Sequence, residues 1–225
     1  MPPERAADDR LALITSRRSI APKRLRPPGP TAAEIEAMVA TALTAPDHGG
    51  VRPWRIIQVA GDSRKRLAEV FVAAKLRRFP DAPAVLLERE RDKALNAPTL
   101  LVISAQLRTD LPEIPPYEQL IAVGAAVQNL LLGAHGFGYG ASLLSGEKAR
   151  DPFVRSQLGL LPDEILVGFL SIGTIAEHKP ARPRPDGRAF LTIWSEPPEP
   201  PTESSFGEMP FASEWLADTQ LALPL

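Results

Sequence analysis

The segment Thr99–Ala105, which reads TLLVISA, constrains the fold more than any other part of this 225-residue chain. It is almost entirely apolar, it is rich in branched side chains, and it has the length of one strand. Neighbouring side chains of a strand point to opposite faces of the sheet, so a run of this kind buries both faces. The sequence therefore predicts a central strand in a sheet that is covered on both sides.

Two segments predict helices that can cover this sheet. Thr31, with Glu34 three residues later, is typical of a capping box and begins a helix that is expected to end at Pro46. Tyr117–Phe137 is expected to form one long helix whose apolar residues are spread around its axis, which predicts burial on most sides. The small residues 124–126 let another helix approach closely, so we expect a packed interface here, including one with a second copy of the chain.

Shorter segments complete the predicted order of elements. Residues 54–60, 141–144, 165–173 and 189–194 are expected to be strands, and residues 22–30 an extended linker. The charged run 88–93 predicts the solvated face of a helix. This order favours one α/β-type domain over residues 1–195, followed by an acidic, proline-rich C-terminal extension over residues 196–225.

The composition excludes several classes of function. A formal net charge of -1 without a Lys/Arg run predicts neither a nucleic acid nor a membrane as partner. The absence of cysteine excludes disulfides, thiolate catalysis and cysteine-ligated metals, and the three histidines have no carboxylates at ligand spacing, so no metal site is predicted. The charged N-terminus has no apolar segment behind it, and we therefore expect no signal peptide and a cytoplasmic location.

Common nucleotide and hydrolase motifs are missing from the sequence. It has no Walker-type Gly-Lys-Ser/Thr loop, and the glycines of residues 136–140 follow a predicted helix instead of opening one, unlike the dinucleotide fingerprint. Ser145 lacks the first glycine of a Gly-x-Ser-x-Gly elbow, which argues against a serine hydrolase. Arg17-Arg18-Ser19 instead offers two planar guanidiniums and a hydroxyl, a set suited to a phosphate monoester or to a solvated surface. His48, in a Pro- and Gly-rich turn, is a candidate general base or a hydrogen-bonding loop residue.

Three stretches, in this order and at these spacings, resemble the FMN-dependent nitroreductase family. They are Arg17-Arg18-Ser19, the loop from Ala45-Pro46-Asp47-His48 to Trp54-Arg55, and the helix through residues 124–129 that ends in the glycines of 136–140. The Ala-Pro-Asp-His loop is similar to that of the small single-domain members. The resemblance implies an α+β fold, a three-layer α/β/α sandwich with a mixed central sheet flanked by helices, in an intertwined homodimer with flavin at the interface.

The resemblance also implies the site residues. Arg17, Arg18 and Ser19 would hold the phosphate and pyrimidine side of FMN, and Thr44 and His48 would come from the other subunit. Leu143, Leu144 and Ser145 would lie along the flavin ring. Leu143 and Leu144 replace residues that are often more polar or aromatic in the family, so backbone groups are the contacts to expect from this strand.

The activity implied by the resemblance is that of an FMN-dependent NAD(P)H oxidoreductase. NAD(P)H would deliver hydride to flavin N5 and leave, and an electron-poor acceptor such as a nitroaromatic or a quinone would take its place. No side chain is expected to be a catalytic acid or base, because the chemistry takes place at the flavin. The alternatives are a flavin-consuming or dehalogenating enzyme on the same fold, a flavin-binding protein without turnover, and a domain whose arginines serve stability alone.

Overall fold

The computed structural model describes residues 11–178 and 183–194. The chain divides into two compact units, one that ends at residue 181 and one that begins at residue 182. The first unit holds every strand among the described residues. In the second unit, the described residues contain one short 3-10 helix, Gly187–Phe190. The extension predicted for residues 196–225 lies outside the described residues.

The sheet of the first unit has five strands, and its ladders are antiparallel. The central strand β3 pairs with β2 on one side and with the long strand β5 on the other, and β5 also pairs with β4 and β1. An isolated parallel bridge joins Ser19 to Ala141 of β4. The strands are β1 (Leu25–Arg26), β2 (Trp54–Val59), β3 (Thr99–Ala105), β4 (Gly140–Leu144) and β5 (Ile165–Ile175).

Helices occupy the connections between the strands. Residues 11–16 are helical and are called α1. The others are α2 (Ala32–Ala42), α3 (Ser63–Arg78), α4 (Ala84–Leu95), α5 (Pro116–Gly136), α6 (Glu147–Arg150) and α7 (Pro152–Gln157), with short 3-10 turns at Pro22–Arg24 and His48–Gly50. Among the described residues, no helix combines the length and the apolar character needed to span a membrane.

Strand β3 divides the core into two layers, as its sequence predicts. All seven of its residues are buried. Leu101 and Ile103 pack with α2 and α5 on one face, whereas Leu100 and Val102 pack with α3 and α4 on the other. This alternation is the direct consequence of the two-residue period of a strand. The α+β class and the three-layer arrangement of helix, sheet and helix are confirmed.

Three expectations about individual segments need correction. The predicted linker 22–30 contains a 3-10 turn and β1, whose Leu25 pairs with Ile175, because the end of the long strand β5 offers free ladder positions. The predicted strand 189–194 is a 3-10 turn followed by residues without strand pairing. Helix α5 buries only one side in the single chain and leaves Tyr117, Leu120 and Ile121 exposed.

Candidate functional site

A cavity of about 360 Å3 lies on the α3/α4 side of the sheet, at the end of β4. Helices α3 and α4 form its walls, the loop into α6 forms its rim, and β5 contributes to its floor. Phe71 and Phe169 meet edge to face at the floor, with ring centroids 5.0 Å apart. The lining residues are Phe71, Arg78, Glu90, Lys93, Leu144, Ser145, Gly146, Glu147, Lys148, Phe169 and Ser171.

A carboxylate held between two lysines dominates the charge of this cavity. Glu90 is buried, and its two oxygens accept hydrogen bonds from Lys93 Nζ at 2.6 Å and from Lys148 Nζ at 3.0 Å. The Lys148 ammonium also lies 5.0 Å from the centroid of the Phe71 ring. The side chain of Lys148 is only 14% exposed, whereas that of Lys93 is 47% exposed. The cluster therefore keeps one more positive than negative charge at the cavity wall.

Burial and hydrogen bonding have opposite effects on the pKa values of Glu90 and Lys148. Burial raises the pKa of Glu90, but hydrogen bonds from Lys93 and Lys148 outweigh it, so the net pKa of Glu90 lies below its ordinary value. Burial lowers the pKa of Lys148, and the bond to Glu90 opposes this shift only in part. Glu90 is therefore ionised at neutral pH and holds both ammonium groups in place.

An unpaired hydroxyl lies next to the floor of the cavity, on the strand neighbour of the lining residue Ser171. Ser142 lies directly opposite Ser171 in the β4–β5 ladder, so the two side chains share the face that the cavity covers. Ser142 Oγ is buried, and within the described part of the chain it has no hydrogen-bond partner. Buried polar atoms are almost always paired. Ser142 Oγ is therefore an unpaired polar atom beside the cavity but outside its lining.

The predicted phosphate residues lie at the other end of β4. The parallel bridge from Ser19 to Ala141 and the bond from the Ile20 N–H to the Ala141 carbonyl, 3.0 Å, hold this segment at the start of the strand. Arg18 Nη1 donates to the carbonyls of Thr15 (2.6 Å) and Arg17 (3.1 Å), so this guanidinium caps the end of α1. Arg17 Nη1 lies 3.5 Å from Ser19 Oγ.

Strand β4 links this segment to the cavity. Leu144 and Ser145 line the cavity, and Leu143 packs against the core on the opposite face. A strand rises about 3.3 Å per residue, so Ala141 and Ser145 are about 13 Å apart along β4. The structure therefore brings six of the predicted site residues to one strand, its end and the segment bridged to it: Arg17, Arg18, Ser19, Leu143, Leu144 and Ser145.

Thr44 and His48 lie on the opposite side of the sheet. Thr44 lines a separate cavity of about 370 Å3 between α2 and α5, where Asn129 Nδ2 donates to its hydroxyl at 3.1 Å. His48 Nδ1 is hydrogen-bonded to Glu118 Oε2 at 2.9 Å. These two residues do not reach the first cavity within one chain.

The turn that presents His48 is built by local chemistry. Asp47 Oδ2 accepts a hydrogen bond of 2.6 Å from the Arg52 N–H, which closes the turn. Gly49 and Gly50 have φ angles of 71° and 65°, a region that glycine enters without a steric penalty. Arg52 also has a positive φ, 49°. The side chain of Asp47 and the positive φ angles of Gly49 and Gly50 therefore shape the predicted turn around His48.

The sequence pattern does not identify Glu90, Lys93 or Lys148 as site residues. It predicts a solvated helix face for residues 88–93, and for Glu90 this is wrong, because its side chain is buried. The signal was present, because Leu87, Glu90, Ala94 and Ala97 follow one another at helical spacing, and this places the carboxylate on the inward side. Lys148 gave no such signal, because its position depends on how α6 packs against α4.

Comparisons with known proteins identify the family of this chain. The model of the nitroreductase family matches residues 14–174. The protein named "Putative NAD(P)H nitroreductase YdjA" of Escherichia coli K12 is 29% identical over 166 residues, which are 74% of this chain and 88% of that protein. YfhC of Bacillus subtilis strain 168, which carries the same description, is 30% identical over 162 residues, 72% of this chain and 81% of that protein.

Solved structures share the fold at lower identity. The nitroreductase-like family protein of Bacillus cereus superimposes with a TM-score of 0.72 and 22% identity, over 83% of this chain and 96% of that chain. The FMN-dependent nitroreductase NfnB of Mycobacterium smegmatis, solved in complex with NADPH, has a TM-score of 0.66 and 20% identity, over 84% of this chain and 99% of that chain. The family match spans most of the chain and includes both the Arg17-Arg18-Ser19 segment and the cavity at the end of β4. The chain belongs to the nitroreductase family and is an oxidoreductase.

Proposed function

We propose that this protein is an FMN-dependent NAD(P)H oxidoreductase that reduces electron-poor acceptors such as nitroaromatics and quinones. The observation that carries the proposal is the cavity in which the end of β4 meets the Glu90–Lys93–Lys148 cluster. The names of the relatives, which refer to NAD(P)H and in one solved structure to FMN, support the same cofactors.

The residues present fit FMN. Leu144 and Ser145 line the cavity in which a planar ring system would lie, and the lysine cluster supplies positive charge to the same cavity. Ala141, about 13 Å from Ser145 by the rise of a strand, is bridged to Ser19, so the segment of Arg17 and Ser19 would take the phosphate group. A ligand with a ring at one end and a phosphate at the other matches this layout.

Bound FMN would supply the redox chemistry by accepting a hydride at N5 and passing it to an acceptor. The chain's own residues bind and orient. Lys93 and Lys148 would donate hydrogen bonds to the ring edge that becomes negative on reduction. Because Glu90 already holds both ammonium groups in position, they would not have to reorganise during the reaction. Phe71 and Phe169 exclude water from the floor of the cavity. None of these side chains needs to give up a proton to the substrate.

The proposed function includes a homodimer. Thr44 and His48 cannot reach the first cavity within one chain, and we propose that they complete the site of a second copy. The exposed side of α5 supports this, because it presents Tyr117, Leu120 and Ile121. A Cβ added at Gly124 would meet nothing within 4 Å, so this part of α5 leaves room for another helix.

The experiment is to record the visible absorption spectrum of the purified full chain, supplemented with FMN, before and after anaerobic addition of NADPH or NADH. We expect oxidised-flavin bands that bleach with the nicotinamide cofactor and return when a nitroaromatic or a quinone is added. Bands that persist with both reductants would contradict an oxidoreductase and favour a flavin-binding protein. A protein that takes up no FMN would contradict the proposal altogether.

A further inference from the structure

Another cavity, of about 440 Å3, lies next to the candidate flavin cavity and shares Arg78 and Glu147 with it. We call it the second cavity; it is distinct from the cavity that Thr44 lines. It is formed where the end of α3 meets α6 and the start of α7. Its principal side chains are those of Arg77, Arg78, Glu147, Arg150, Asp151 and Phe153. Arg78 and Glu147 also line the candidate flavin cavity, whereas the other four residues have no part in the proposed flavin site.

The second cavity is rich in arginine. Its lining carries three guanidiniums and two carboxylates, so its net charge is positive. Both carboxylates face Arg78, with Glu147 Oε2 at 2.7 Å from Nη1 and Asp151 Oδ2 at 3.8 Å from Nε. Asp151 also caps α7 by accepting a bond of 2.9 Å from the Phe153 N–H. The two acids are therefore engaged with Arg78 and the backbone, and neither of these contacts involves the guanidinium of Arg77.

Arg77 has the geometry of a preorganised anion contact. Its guanidinium carbon lies over the Phe153 ring, 4.9 Å from the ring centroid, so the positive charge contacts an aromatic face. Arg77 remains exposed to solvent. A guanidinium held against a ring loses less side-chain entropy on binding, and its planar fork of N–H groups suits the oxygens of a phosphate monoester.

We propose that this arginine-lined cavity binds the 2′-phosphate of NADPH, with Arg77 as the principal contact, and that the protein therefore prefers NADPH to NADH. The inference rests on the proposed function, in which a nicotinamide ring enters the first cavity. The two cavities adjoin at Arg78 and Glu147, so a dinucleotide that places one end in the first can place its other end in the second. NADH lacks the phosphate and so would gain nothing from Arg77.

The first test compares Arg77→Gln with a matched control, Arg66→Gln, which removes the same charge from an exposed position on the same helix. A lost charge-assisted hydrogen bond is worth at least about tenfold in affinity, so we expect kcat/KM for NADPH to fall about tenfold or more in Arg77→Gln. The value for NADH should change less than twofold, FMN content should be unchanged, and Arg66→Gln should behave like the wild type. Arg77→Lys should recover only part of the preference, because it keeps the charge without the planar fork.

Three outcomes of this test would overturn the inference. Equal losses for NADPH and NADH would mean that Arg77 acts on the fold or on the nicotinamide end. Loss of FMN from Arg77→Gln would mean that the arginines hold the flavin phosphate, the other phosphate monoester in the system. Equal effects in Arg66→Gln and Arg77→Gln would mean that overall charge is responsible.

The second test needs no activity. Isothermal titration calorimetry of the full chain should show that 2′,5′-ADP binds at least about tenfold more tightly than 5′-AMP, and that Arg77→Gln removes the difference. Equal binding of the two nucleotides would overturn the inference. If the chain takes up no FMN but still binds 2′,5′-ADP through Arg77, the result supports the phosphate site and contradicts the proposed function. A failure of the phosphate site can therefore be distinguished from a failure of the flavin-dependent function.

Discussion

At the scale of single residues, two buried carboxylates on the same side of the sheet have different uses. Glu164 is fully buried and is satisfied by the Ser104 hydroxyl, by the Leu161 N–H at 3.1 Å and by Arg55 at 3.3 Å. It lines none of the cavities described above and serves the fold. Within the described residues, the partners of Glu90 are two lysines, and both of them line the candidate flavin cavity. The partners, and not burial itself, separate a structural carboxylate from one that prepares a site.

We expect Glu90→Gln to lower the free energy of unfolding by about 2 kcal/mol, because it leaves the mostly buried Lys148 ammonium without its counter-charge. Urea denaturation at neutral pH measures this change. The control is Glu88→Gln, on the same helix, whose exposed pair with Arg91 contributes far less. Equal midpoints for the two variants would contradict the role of Glu90.

We expect the stability difference between the wild type and Glu90→Gln to depend on pH. The pKa of Glu90 in the folded protein lies below its ordinary value of 4.5, so its contribution to stability is complete above pH 4.5 and disappears as the pH falls through the folded-state pKa. The difference in unfolding free energy between the wild type and Glu90→Gln should therefore be constant from neutral pH down to about 5 and shrink below 4.5. A difference that grows as the pH falls would contradict a lowered pKa of Glu90 in the folded protein.

At the scale of elements, α2 shows how a local signal is joined to tertiary structure. The Glu34 N–H donates to Thr31 Oγ1 at 3.3 Å, and Glu34 Oε2 accepts from the Thr31 N–H at 2.7 Å, so the predicted capping box is confirmed. The Tyr139 hydroxyl, just before β4, also donates to Glu34 Oε2, at 3.1 Å. The cap therefore ties the start of α2 to the strand that carries the candidate site.

Removing this cap tests that connection. Thr31→Ala should lower the free energy of unfolding by about 1 kcal/mol, because one N–H of the first turn loses its acceptor. Thr109→Ala, in the exposed loop after β3, is the control and should leave stability unchanged. Thermal or urea denaturation followed by circular dichroism measures both. A Thr31→Ala protein as stable as the control would show that the box contributes nothing.

At the scale of the whole molecule, the predicted site residues lie on two sides of one sheet. Leu144 and Ser145 line the cavity on the α3/α4 side, whereas Thr44 lines a cavity on the α2/α5 side. One chain cannot bring them together, because the sheet lies between them. If the family resemblance holds for all of them, two chains have to combine, and the exposed side of α5 is the surface that would join them.

Ile121→Asp tests this assembly. Ile121 is 67% exposed in the single chain, and a carboxylate there would be buried without a partner in a dimer, so we expect a monomer in analytical ultracentrifugation. Retention of FMN should fall with the dimer, since Thr44 and His48 would no longer reach the partner's site. Leu161→Asp, at a position outside α5 that is 55% exposed, is the control and should remain dimeric. A monomeric wild type would contradict the proposal directly.

Much of the fold followed from residue order alone. Strand β3, helix α5 and the capping box of α2 were predictable because each depends on signals within a few residues: side-chain period, proline and cap chemistry. The short strand β1 and the unpaired residues 191–194 were not, because pairing depends on which edge of the sheet is left open. The domain boundary at residue 195 and the cytoplasmic location remain predictions.

The candidate site divides in the same way. The order of motifs, the turn around His48 and the resemblance to nitroreductases could be read from the residue order, because these are properties of contiguous residues. The contact of Glu90 in α4 with Lys148 in α6 at 3.0 Å, and the position of Arg77 against Phe153 next to the same cavity, became visible only in the folded chain. A contact between distant residues depends on how helices pack across a sheet, and no local pattern of charge or hydropathy records that packing.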